Sequence, residues 1–139
     1  IIKRSNNMAT KWINMTANMM VEDVNQTVDF YRDLLGFEVM MSVPESGKLN
    51  WAMVKHGNVE LMFEAIPAMV DDFPHLSGQK PAATISFYIH VEALDELHRH
   101  LQASNVKIIR DISTTAYGAR EFVALDCNGY ILNFSQAQA

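Results

Sequence analysis

An α+β fold built from two βαβββ modules is what this sequence predicts, on three observations. The stretch Val21–Phe37 carries the start, body and stop of one helix between two short apolar segments. The order strand, helix, three strands then occurs a second time. Corresponding positions lie 68 residues apart at Thr16 and Thr84, and 69 apart at Phe37 and Val106, and internal repetition of this kind marks a duplicated supersecondary unit. At 139 residues and 49% hydrophobic content, such a chain buries about two thirds of its unfolded surface.

Each element has its own warrant. From Trp12 to Val21, Met15, Ala17, Met19 and Val21 alternate with Thr16, Asn18 and Met20, so the first strand offers one apolar face to a helix. Asp23 caps that helix, with Gln26 placed for a capping box, and Val24, Val28, Tyr31, Leu34 and Leu35 recur at helical spacing. Gly36 supplies a left-handed stop and Phe37 packs back on the last turn. Strands at Phe37–Val43, Leu49–Lys55 and Val59–Ile66 follow, separated by the turn Pro44–Lys48 and the hairpin His56-Gly57-Asn58. From Pro67 to Pro81, proline, Asp71, Asp72, Ser77 and Gly78 predict a linker or a lid, with Met69, Val70 and Phe73 able to pack on something. The second module opens with a strand from Thr84 and a helix from Leu94 to about Ser104, stopped by Asn105. Strands at Val106–Ile112, Glu121–Asp126 and Tyr130–Ser135 complete it, with Tyr117-Gly118 and Asn128-Gly129 in the turns. The expected division is a tail at 1–11, a first module at 12–66, a linker at 67–81 and a second module at 82–136. Met8 reads as a natural start, with the first seven residues upstream of it.

Composition excludes several functions. A net charge of −5 without a cluster among the eleven Lys and Arg argues against nucleic acid. The single cysteine, Cys127, forbids an intramolecular disulfide, and no signal peptide or membrane-spanning apolar run is present, so the expected location is the cytoplasm and no membrane partner is expected.

The acidic turn followed by Phe30-Tyr31 and Leu34-Leu35-Gly36-Phe37 resembles the first module of the vicinal oxygen chelate superfamily, which holds glyoxalase I, ring-cleaving dioxygenases and bleomycin resistance proteins. With the repeat, the resemblance covers residues 12–136 and implies curled mixed sheets around a cavity. It also implies a divalent metal held by His in the strand before each helix and Glu in the last strand of each module. The matching positions here are Thr16, Glu60, Thr84 and Asn133, so one ligand of four is retained. Two hydroxyls and an amide do not hold a transition metal against water as imidazole and carboxylate do. No metal and no cofactor are therefore expected.

Other groups carry little. His98 and His100 stand two apart on a helix and read as a solvated face. His56 belongs to a hairpin turn, His75 to the linker, and His90 to a strand end. Cys127, where the family has proline, reads as an inert turn residue. The remaining candidate is a cavity lining. Strand parity points Glu60, Met62, Glu64, Thr84, Tyr88 and Asn133 away from the helices, joined by Trp51. The hairpin Trp51–Glu64 also resembles that of bleomycin resistance proteins. These seven residues are the expected binding set for a small molecule that is cationic or aromatic. The competing reading is that Trp51 and the methionines are core filling. The function expected is metal-free ligand binding, such as sequestering an antibiotic. The alternative is a glyoxalase-like lyase, isomerase or dioxygenase relative with an atypical metal ligand set. A homodimer is expected, since small members of the superfamily complete their cavities across a two-fold interface.

Overall fold

The computed structural model describes residues 9–81 and 84–138; the tail up to residue 8 and the expected start of the second module at 82 lie outside them. Among the described residues the strands form two four-stranded sheets. In the first, β1 (Ala17–Val21) pairs in parallel with β4 (Val59–Ala65), followed by β3 (Trp51–His56) and β2 (Glu38–Val43). In the second, β5 (Ser86–His90) pairs in parallel with β8 (Ile131–Ala137), followed by β7 (Ala119–Leu125) and β6 (Ile108–Thr114). The α+β architecture of two repeated mixed sheets is thus the one the sequence predicts.

The first helix, α1 (Val24–Leu35), starts and stops as its residues dictate. Asp23 accepts the Gln26 N–H at 2.9 Å, Gly36 turns left-handed at φ 76°, and the Phe37 N–H returns to the Tyr31 carbonyl at 3.0 Å. This is the hydrogen-bond pattern that closes a helix with glycine. Met19 and Val21 of β1 are buried with Val24, Val28 and Tyr31 of α1, as alternation predicts. The first strand is shorter than expected, however. Its ladder begins at Ala17 opposite Leu61, and Trp12, Ile13 and Met15 are exposed.

The linker holds more structure than its prolines suggest. Pro67 sits in the first turn of α2 (Ile66–Asp72), where its missing N–H costs nothing, and a 3₁₀ turn follows at Pro74–Leu76. The helix α2 contacts β1 and β4 and buries Met69. In the second module, α3 (Leu94–Ala103) ends before Asn105, which is left-handed at φ 60°. Strand β6 lies two residues later than expected and β7 starts two residues earlier, because the Thr115–Gly118 turn between them closes with Thr115 N–H to Ala119 O at 2.7 Å and Gly118 N–H to Thr115 O at 3.0 Å; β8 runs two residues further, to Ala137.

Helix α1 joins the modules. Its Leu34 and Leu35 pack on the second core, formed by Leu94, Leu101, Phe122, Ala124, Leu132 and Phe134. Tyr130 reaches the other way into the first core and donates its hydroxyl to the Met20 carbonyl at 2.7 Å. Between them, the Tyr31 hydroxyl donates to Asp126 at 2.7 Å and the Asn128 amide to Thr27 at 2.9 Å. No helix of the described residues is long and apolar enough to cross a membrane.

Candidate functional site

The sheet faces turned away from α1 and α3 carry the polar groups. On the first sheet, strand register sets Asn18 beside Met62, Met20 beside Glu64, Trp51 beside Glu64 and Met53 beside Met62. Trp51, Glu60, Met62 and Glu64 therefore share one face, as parity predicts. Both carboxylates are engaged by β1 and the residue before it: Thr16 donates to Glu60 at 2.8 Å and Asn18 to Glu64 at 2.8 Å. Glu64 is only 5% exposed. Its carboxyl is pushed above the ordinary glutamate range, first by burial and then by the hydrogen bond and charge of Asp72 at the end of α2, while the Asn18 amide pulls the other way. Asp72, invisible as a site residue in a proline-rich linker, is brought here by folding alone.

A cavity of about 640 Å³ opens at the β1 edge of this sheet, and of the seven expected residues only Thr84 lines it. Its walls include Thr16, Asn18 and Met20 from the β1 edge, Met69 from α2, and Thr84, Ile85 and Tyr130 from the second module. Thr84 thus meets the first module at the cavity, although it lies before β5 rather than in it. Tyr88 and Asn133 face each other on the second sheet. The seven expected residues consequently fall into two groups on two sheets, with Thr84 at the junction.

Sequence reasoning missed the most heavily bonded group on the second sheet. Glu121, on β7, is 1% exposed. One carboxylate oxygen, Oε2, accepts from Tyr88 at 2.8 Å, Tyr117 at 2.6 Å and Ser135 at 3.0 Å. Burial pushes its pKa up, but hydrogen bonds from Tyr117, Tyr88, Ser135 and Asn133 outweigh this and leave it below the ordinary value. The same contacts push Tyr117 up to about 12, led by the bond to Glu121. The available signal was a lone glutamate in the apolar run Glu121-Phe122-Val123-Ala124-Leu125, which parity sends to the face opposite Phe122.

A metal can be tested against the donors present. Among Thr16, Glu60, Thr84 and Asn133, the positions that match the family's ligands, Glu60 is the sole carboxylate, and no three His, Cys, Asp or Glu side chains converge among the described residues. These donors do not fit a transition metal. The histidines have structural partners instead. His98 is not on a solvated face: it lies edge-on to Phe122 at 5.0 Å, with Nε2 2.6 Å from Asp111. Nε2 of His100 meets the Leu34 carbonyl at 3.0 Å. Burial of its sulfur, with Asp126 nearby, pushes the Cys127 thiol up to about 11 although the residue is exposed overall, which leaves it unreactive.

Comparison with known proteins agrees with this architecture. The family model for the Glyoxalase/Bleomycin resistance protein/Dioxygenase superfamily matches residues 12–134, and the chain belongs to that superfamily. Its fold is similar to that of TioX from Micromonospora sp. ML1, with TM-score 0.73, 18% identity, and coverage of 91% of this chain and 100% of that one. A glyoxalase/bleomycin resistance protein/dioxygenase family enzyme from Burkholderia phytofirmans PsJN gives TM-score 0.74 at 19% identity, covering 88% of this chain and 97% of that one. A glyoxalase/bleomycin resistance protein/dioxygenase from Nocardioides gives TM-score 0.75 at 13% identity, covering 94% and 87%. No curated protein matches the sequence.

Proposed function

We propose that this protein is a metal-free binder of small planar cationic molecules, which it sequesters at the first sheet with Trp51 as the stacking surface. The observation that carries the reading is Glu64: a buried carboxyl beside Trp51 in the ladder, held against a second acid, Asp72. None of the ion pairs among the described residues includes it. Two neighbouring acids without a cation are relieved by a positive guest, and an indole adds stacking and cation–π attraction. Glu60 and Met62 share the Trp51 face, and Thr84 lines the neighbouring cavity at the β1 edge. The donor mismatch at the family's metal positions supports binding rather than metal-assisted chemistry. The two exposed sheet edges at β2 and β6 support assembly as a homodimer.

The test is a fluorescence titration of a Trp12→Phe variant, so that Trp51 alone reports. Planar cationic compounds, bleomycin-type glycopeptides among them, are expected to quench it saturably. Glu64→Gln should weaken binding by about 1 to 3 kcal/mol. Absence of saturable quenching, or binding to the Glu64→Gln and Glu60→Gln variants as tight as to the parent, refutes the proposal.

A further inference from the structure

The second sheet holds a separate acceptor cluster that the reading of Glu64 leaves unused. Glu121 and Ser135 are cross-strand partners, as are Asn133 and Val123, and Asn133 in turn stands beside Tyr88. The Tyr117 hydroxyl donates to Oε2 of Glu121 at 2.6 Å, and the single hydrogen of the Tyr88 hydroxyl is shared between Oε2 at 2.8 Å and Oγ of Ser135 at 2.9 Å. A phenol has one hydrogen, so each oxygen keeps acceptor capacity once that hydrogen is spent within the cluster. The other carboxylate oxygen, Oε1, lies 3.6 Å from Nη2 of the Arg110 guanidinium, beyond hydrogen-bond length. Arg110 is 55% exposed, so solvent competes for it. The amide oxygen of Asn133 is buried and has no hydrogen-bond partner among the described residues.

We propose that Glu121, Tyr88 and Tyr117 form a binding site for the primary ammonium group of a small molecule, with Arg110 as the internal cation that this group displaces. A primary ammonium has three N–H donors and no acceptor, which matches Oε1 of Glu121 and the two phenol oxygens. Tyr88 and Tyr117 are 48% and 69% exposed, so the guest reaches them from solvent. Their ring faces accept the adjoining CH₂ groups and add cation–π attraction. A trimethylated nitrogen keeps the charge but loses all three donors, and an anion meets a buried carboxylate. The proposal does not rest on the Glu64 site, whose groups lie on the other sheet.

The experiment is isothermal titration of the full chain with benzylammonium, benzyltrimethylammonium and benzoate, with tryptophan fluorescence followed in parallel. Benzylammonium should bind one to one and at least about tenfold more tightly than benzyltrimethylammonium, since even one of the three lost charge-assisted hydrogen bonds is worth roughly that factor. Benzoate should not bind. Tyr117→Phe and Tyr88→Phe should each weaken benzylammonium by about five- to tenfold, and Arg110→Ala should tighten it. The exposed Tyr117→Phe and Arg110→Ala changes keep the test independent of folding defects. No benzylammonium binding, equal binding of the trimethylated probe, or loss of binding in Arg110→Ala overturns the proposal. Tryptophan quenching in step with the heat overturns it too, because the guest then sits at Trp51, and the reading of the first sheet survives alone.

Discussion

Replacing Tyr31 with Phe removes one oxygen atom from the contact that joins the two modules, and its cost follows from what that oxygen touches. Tyr31 and Asp126 are 1% and 5% exposed. The phenol donates to Oδ2 at 2.7 Å, while Oδ1 accepts the backbone N–H of Asn128 at 2.8 Å and of Tyr130 at 2.9 Å. In Tyr31→Phe, Oδ2 stays buried and loses its donor. A hydrogen bond to a charged group contributes about 1.5–3 kcal/mol net, so a loss of about 2 kcal/mol is expected at neutral pH. For a domain of this size that is a fall in Tm of roughly 6–10 °C. The pH dependence tests the mechanism. Burial raises the Asp126 pKa above its ordinary value, and the Tyr31 bond is the leading opposing effect. A carboxyl with a raised folded pKa contributes stability below its unfolded pKa and loses it as pH rises through the folded value. Without Tyr31 the folded pKa rises further, so the variant should lose more stability than the parent as the pH increases. Its deficit should shrink to about 1 kcal/mol below about pH 4. Thermal and urea unfolding at both pH values, repeated in an Asp126→Asn background, measure this. A deficit below about 0.5 kcal/mol at neutral pH, or one that is the same at both pH values, refutes the reasoning.

The remaining predictions concern single positions and the metal. Gly36→Ala should cost about 1–2 kcal/mol in urea unfolding, because a side chain is strained in the left-handed region and its Cβ would lie 3.2 Å from Cε1 of His56. Glu64→Gln should flatten the pH profile of Tm: the parent's raised Glu64 pKa makes it lose stability as pH rises from about 4 toward neutrality, whereas the amide cannot titrate. Parallel profiles would show that Glu64 is not under strain from burial and Asp72. Elemental analysis should find no stoichiometric Ni, Zn, Fe or Mn, and chelator should leave Tm unchanged; one tightly held transition metal per chain would show a ligand set assembled elsewhere.

The candidate site divides by how far its residues stand from one another in sequence. Trp51, Glu60, Met62 and Glu64 belong to one hairpin, whose alternation alone sends them to a common face, and the ladder agrees. Asp72 joins Glu64 only because α2 folds back over β1 and β4, a path that no periodicity in a proline-rich stretch encodes. The Glu121 cluster draws on β5, β7, β8 and the Thr115–Gly118 turn. The bond from Tyr117 to Glu121 spans only four residues, but its acceptor becomes a buried hub only when β5 and β8 bring Tyr88 and Ser135 beside it.

From the sequence alone, the duplicated βαβββ order, the limits of α1 and the side of each strand that meets a helix were determined. They rest on local rules: the conformational freedom of Gly36, the cap at Asp23, and the period of two in a pleated strand. Only the tertiary structure decided how the modules meet, through Tyr31 and Asp126, Thr27 and Asn128, and Tyr130 and Met20. It also decided which polar side chains became buried partners rather than solvated ones. Those pairs bridge 95 to 110 residues of chain. Their strength comes from the water that packing excludes around them, a property of the assembled interior and not of any segment read by itself.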